Sequence, residues 1–150
     1  MRSTVVVIAC AAPAIAALSA CGGSLWPTTK VQVKSYAPDV YACVQSSATD
    51  LGYHSTLSDT LHRTYEGRRD SKEKHFVEVD EFSAYDKLKV KVQSPHEGGT
   101  STLSIQGQSL GVHETKEGVV DEPDPASARV LQDVKTIVNK CAPASAVVTN

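Results

Sequence analysis

The sequence predicts an α+β domain: an antiparallel sheet of four to five strands, with an N-terminal and a C-terminal helix packed on one face as a two-layer structure. Two observations carry this prediction. Between about Tyr53 and Gln108, apolar and polar residues alternate with the period of half-buried strands. On either side lies a segment whose apolar residues recur at helical spacing. A sheet with one apolar face needs that face covered, and two amphipathic helices supply the cover.

The first helix is expected from about Pro38 to Leu51. Pro38 suits a first helical position, where its missing N–H costs nothing, and Gly52 suits the stop. Val40, Val44, Ala48 and Leu51 form its apolar stripe, with Cys43 at the border. Tyr53–Leu57 and Leu61–Arg68 follow as strands around Ser58-Asp59-Thr60, and Arg68–Lys74 reads as a charged turn.

Phe76–Phe82 and Lys87–Gln93 give the clearest strand alternation. Folded over Ala84-Tyr85 as a hairpin, they place Val79 opposite Val90, Asp80 opposite Lys89 and Glu78 opposite Lys91. Apolar pairs then share one face and opposite charges the other. Pro95–Gly99 is the next turn. Thr102–Gln108 is a further strand, with Leu103 and Ile105 inward and Thr102, Ser104 and Gln106 outward. The two glycines and acidic end of Leu110–Pro123 suggest mostly loop. The second helix is expected after Asp124 as N-cap, with Pro125 in its first turn. Val130, Val134, Ile137, Val138 and Cys141 share one of its faces, and Pro143 ends it.

The N-terminus carries an address. Arg2 precedes an apolar run from Val5 to Leu18, the layout of a secretory signal peptide. The run is shorter than the roughly 20 apolar residues that span a bilayer comfortably. Leu18-Ser19-Ala20-Cys21 resembles the lipobox of bacterial lipoproteins. The resemblance is confined to this leader and implies cleavage before Cys21, whose sulfur would carry a diacylglyceryl group. That covalent lipid is the only non-protein group expected; no cofactor and no metal is. Gly22, where retention signals in this family commonly have Asp, favours the outer membrane over the inner. The expected organisation is a signal peptide over 1–20, a lipidated cysteine and tether over 21–34, the domain over 35–142 and a frayed tail over 143–150. Trp26 in the tether suits either the lipid interface or the edge of the core.

With Cys10 in the leader and Cys21 committed to lipid, Cys43 and Cys141 remain. An exported chain folds where two remaining thiols usually join. A bridge closing so long a loop contributes about 4–5 kcal/mol on the chain-entropy model. It would pin the first helix to the last.

Without residues 1–20 the chain has a net charge of −3, so its electrostatics offer no case for nucleic acid. His54, His62, His75, His96 and His113 fall into no zinc spacing, and no nucleophile-elbow, P-loop or dinucleotide fingerprint is present. Asp80, Glu81 and Asp86 invite a paired-acid reading, but the hairpin already explains Asp80 as a partner for Lys89 on a solvated face, which argues against catalysis. Two features suit binding. One is the outward sheet face of Glu78, Asp80, Lys89, Lys91, Thr102, Ser104 and Gln106. The other is the basic cluster Arg63, Arg68, Arg69, Lys72 and Lys74, interrupted by Glu66, Asp70 and Glu73, which reads first as a solvated turn and second as a contact for anionic glycan or lipid headgroups. The expectation is a lipid-anchored envelope protein, membrane-bound through Cys21, acting on an envelope protein partner without catalysis. The rival expectations are an envelope hydrolase acting on wall or lipid, and a small-ligand or glycan carrier.

Overall fold

The computed structural model describes residues 25–70, 75–77, 80–94, 99–143 and 147–149. The leader, Cys21, Glu78, Val79, Lys72, Lys74 and His96 lie outside them. The chain is α+β, with elements in the order β1 (Thr28–Val33), α1 (Ala37–Asp50), β2 (His54–Asp59), β3 (Thr64–Asp70), β4 (His75–Val77), β5 (Asp80–Gln93), β6 (Ser101–Thr115), β7 (Gly118–Asp124), α2 (Ala128–Cys141) and β8 (Val147–Thr149). All strand pairs are antiparallel. Six strands run in the order β2-β3-β5-β6-β1-β8, while β4 adds to β5 and β7 adds to β6.

Both helices form where the apolar spacing places them. Pro38 lies in the first turn of α1, and Asp39 adds a favourable negative charge there. At the other end, Gly52 takes φ +86°, and the Tyr53 N–H returns to the Ala48 carbonyl at 2.9 Å. That bond is the Schellman closure of a helix end, which needs a left-handed residue at the glycine position. For α2 the N-cap is Ser127 rather than Asp124: its hydroxyl accepts from the Val130 N–H at 3.1 Å. Asp124 is unavailable as a cap because it closes β7, opposite Ser109.

The core joins the helix stripes to the strands. Val31, Val44, Leu88, Leu103, Ile105, Val130 and Ile137 are all fully buried. At Gly107 a Cβ atom would lie 2.9 Å from Val130 Cγ2, so β6 and α2 approach too closely there for any side chain. Tyr41 of α1 donates its hydroxyl to the Thr64 carbonyl at 2.9 Å, tying the helix to β3. Cys43 and Cys141 are bonded, with their Cα atoms 5.7 Å apart and a sequence separation of 98.

Four expectations need correcting. The predicted hairpin does not form: β5 is one continuous strand from Asp80 to Gln93, so Asp80 and Lys89 share it instead of facing each other. Asp80 pairs with Val77, Tyr65 of β3 stands opposite Val90, and Glu66 stands opposite Lys89. Alternation sets which residues share a face but leaves the partner strand open, and β3 satisfies the same pattern of apolar and charged pairs.

Residues 110–123 are not loop. β6 continues to Thr115 and turns at Lys116-Glu117, where the Thr115 hydroxyl donates to the Gly118 carbonyl at 2.7 Å. β7 then returns along it. The third correction is β1, which occupies part of the expected tether and pairs with β6. The fourth is the tail, in which Val147–Thr149 pairs with β1. The sheet therefore exceeds the expected four to five strands.

Candidate binding face

Strand alternation sends every second residue of β5 away from the buried side of the sheet, and Lys87, Lys89 and Lys91 stand at those positions. Register brings Gln108, Gln106 and Ser104 of β6 beside them, and Gln93 beside Thr102. On one flank β3 adds Arg68, Glu66 and Thr64; on the other β1 adds Thr28, Lys30 and Gln32. Lys89, Lys91, Thr102, Ser104 and Gln106, named from sequence, are thus brought together. Asp80 sits at the far end of β5.

Hydrogen bonds stiffen part of this surface. The Gln106 amide donates to the Trp26 carbonyl at 2.8 Å and to the Thr28 hydroxyl at 3.1 Å, and the Gln108 amide donates to Gln106 Oε1 at 2.8 Å. The Gln32 amide donates to the Thr102 hydroxyl at 2.9 Å. Trp26, half-buried, donates its indole N–H to the Asp124 carbonyl at 2.8 Å and so fastens the start of β1 beside the end of β7.

The charges divide into paired and unpaired. Lys87 meets Glu66 at 2.5 Å, and Arg68 meets Asp70 at 3.1 Å while stacking 3.8 Å above the Tyr85 ring centre. Tyr85 donates to Asp121 at 2.7 Å; burial first, and then that bond, push its hydroxyl up to about 12. Lys30, Lys89 and Lys91 have no ion pair among the described residues. A chain that is acidic as a whole therefore turns a basic, polar surface outward along β1, β5 and β6. Sequence reasoning missed Lys30 and Gln32, although Lys30-Val31-Gln32-Val33 alternates strictly.

The opposite side of β5 holds a buried ionic cluster. The Asp86 side chain is 3 % exposed. Its Oδ1 accepts from Ser109 at 2.9 Å and Ser127 at 3.1 Å; its Oδ2 accepts from Arg129 at 2.6 and 2.9 Å. Arg69 reaches Asp86 at 3.4 Å, pairs with Asp133, and donates to the Leu51 carbonyl at 2.7 Å. Tyr53 donates to Asp133 at 2.9 Å, beneath the Arg69 guanidinium. Burial foremost, and then the Asp133 charge, hold the Tyr53 hydroxyl far above its ordinary value. Burial opposes the charge on Arg129, but hydrogen bonding and attraction to Asp86 outweigh it and raise that group.

Two carboxylates and two guanidiniums balance, and both oxygens of Asp86 are committed to donors from β6 and α2. Such a cluster orients elements and leaves Asp86 no lone pair for acid–base work. Arg68 and Arg69, adjacent in the basic cluster read from sequence, part company here: one lies on the outer face and the other anchors the interior.

Among the described residues, no group of three or more His, Cys, Asp or Glu side chains could hold a metal ion. No described helix is long and apolar enough to cross a membrane. No family model matches the chain, and no curated protein matches it. Among solved structures it is similar to the adenylate sensor from AMP-activated protein kinase in complex with 5-aminoimidazole-4-carboxamide 1-beta-D-ribofuranotide. That likeness has 14 % identity over 73 % of this chain and 92 % of the other, with a TM-score of 0.46. At that level it carries no argument about fold or ligand.

Proposed function

We propose that the chain is a lipid-anchored bacterial envelope lipoprotein, held through Cys21, and serves as a non-catalytic binding or assembly module through protein contacts. The observation that carries this reading is the outward sheet face. Lys30, Lys89 and Lys91 stand there without ion pairs among the described residues, beside Thr102, Ser104 and Gln106. Ammonium groups left in this state are available to carboxylates on a partner, where charge complementarity sets orientation and speeds encounter. Both helices are taken to cover the other side of the sheet, leaving this face open.

The leader motif Leu18-Ser19-Ala20-Cys21 supports the anchor, and Gly22 supports the outer membrane. Four residues lead from Cys21 to Leu25, a reach of roughly 13 Å. Because Trp26 is fastened to Asp124, a lipid on Cys21 would hold the domain close to the bilayer by the β1–β7 side.

Cross-linking in intact cells, followed by purification from membranes, tests the reading. A reproducible envelope protein that accompanies the chain supports it; recovery of the chain alone counts against it. Cys21→Ser should release the protein from membranes, and continued tight association would remove the anchor from the account.

A further inference from the structure

At one end of the sheet, the β2–β3 turn and the end of β5 enclose an open cleft of about 530 Å³, a size that suits a small ligand. Its walls include Asp59, Leu61, His62, Arg63, Lys91 and Gln93. Asp59 is the acid among them, and it is already engaged. Its Oδ1 accepts the His62 backbone N–H at 3.0 Å, and its Oδ2 meets His62 Nδ1 at 2.6 Å. The bond from the His62 backbone, above all, holds the Asp59 carboxyl below its ordinary value, so it stays ionised and tied to the turn.

The cations in the cleft are in the contrary state. Arg63 donates its Nε to the Val92 carbonyl at 3.3 Å and has no carboxylate partner among the described residues; nor has Lys91. Arg63 also takes φ +51°, the left-handed region in which glycine or asparagine is the ordinary choice. An arginine held there, with its carbonyl fixed by the Val92 N–H at 3.0 Å, carries backbone strain that a glycine would relieve. The turn therefore keeps a guanidinium at the cleft against its own conformational preference. Lys91, opposite Thr64 in the register, brings an ammonium to the same cavity.

We propose that this cleft binds a small soluble anion through a carboxylate or phosphate group, with Arg63 as the principal ligand and Lys91 as the second cation. A guanidinium offers two parallel donors to such a group, and an ammonium adds a point charge beside it. Exposed Leu61 at the rim supplies an apolar contact for the rest of the ligand. This site shares Lys91 with the partner face above, but its principal ligand, Arg63, lies outside that face, and Lys30 and Lys89 take no part in it.

The test is titration of the purified full-length chain with inorganic phosphate and, separately, with citrate, followed by amide chemical shifts. Sodium chloride at matched ionic strength is the control. The proposal expects saturable shifts concentrated in residues 59–64 and 91–94 with at least one probe. Saturation by phosphate alone identifies a phosphate-bearing ligand, and by citrate alone a carboxylate-bearing one. Arg63→Gly should weaken binding by roughly tenfold or more. It should do so without loss of folding, because the substitution relaxes the turn. Lys135→Gln, on the exposed side of α2, should leave binding unchanged. Equal shifts with sodium chloride, shifts spread over all the lysines, or undiminished binding by Arg63→Gly would overturn the proposal.

Discussion

Charged residues of the same types stand on the two sides of β5 and do opposite work. On the buried side, Asp86 meets Ser109, Ser127, Arg69 and Arg129 at almost no exposure, which joins β3, β6 and α2. On the outer side, Lys87 pairs with Glu66 in partial contact with water, and Lys89 two residues on has no ion pair among the described residues. The difference lies in surroundings rather than chemistry. A buried charge without its partner is costly, so the interior must pair its carboxylates. A surface pair contributes little to stability and can be left incomplete. The unpaired lysines are thus left available for the recognition proposed above, while the paired aspartates hold the frame.

The largest effect should follow from Asp86→Ala, which leaves the Arg129 guanidinium without its carboxylate and the Ser109 and Ser127 hydroxyls without their acceptor, while Arg69 keeps Asp133. A loss of about 3–5 kcal/mol is expected in denaturant unfolding, and a loss below about 1 kcal/mol would show that the cluster does not hold the elements together. Next comes the covalent counterpart. Cys43→Ser with Cys141→Ser should cost about 2–4 kcal/mol by the same measurement, given the 98-residue separation. An unchanged midpoint would mean that the core alone fixes α1 to α2.

Tyr53 sharpens the comparison through pH. Its hydroxyl titrates far above its ordinary value in the folded chain, and Tyr85 does so at about 12, whereas an unfolded tyrosine ionises near pH ~10. The folded state thus binds more protons than the unfolded state above that point. The stability these groups contribute is fully present below about pH 10 and is lost as the pH climbs through the folded values. Tyr53→Phe should reduce this alkaline loss and cost about 1 kcal/mol at neutral pH through the missing bond to Asp133. An unaltered alkaline slope would contradict the assignment. The smallest effect belongs to the outer face. Lys89→Glu should change stability by less than about 0.5 kcal/mol, and a larger loss would mean that Lys89 has a structural task.

How far sequence reached depends on which interactions are local. Val40, Val44 and Ala48 announce α1, and Val130, Val134 and Ile137 announce α2, because helix periodicity lies within one segment. Leu103 and Ile105 likewise reveal the buried side of β6. Strand partners are a separate matter, since pairing is non-local. Lys89 accepts Asp80 or Glu66 equally well on charge, and only the register shows Glu66 opposite it. β1 was hidden by its position next to an evident tether, although it alternates. The long reach of β6 was hidden by Gly111, which reads as loop punctuation yet sits within a paired strand. For the binding face, Lys89, Lys91, Thr102, Ser104 and Gln106 were legible from period alone. Lys30 and Gln32 were not, because they reach the face through a strand paired from the far end of the chain. The buried cluster was illegible for the same reason: Asp86 and Asp133 lie 17 and 64 residues from Arg69, which joins them.

The most direct test of the division between frame and face is the double substitution Lys30→Glu with Lys89→Glu, carried through cross-linking in intact cells beside a thermal unfolding scan. Neither position belongs to the Asp86 cluster or to the lining of the Arg63 cleft. The account predicts an unchanged unfolding midpoint and, for the proposed envelope partner, recovery with the unaltered chain and loss from the double variant. A partner still recovered in full from the charge-reversed protein would contradict it.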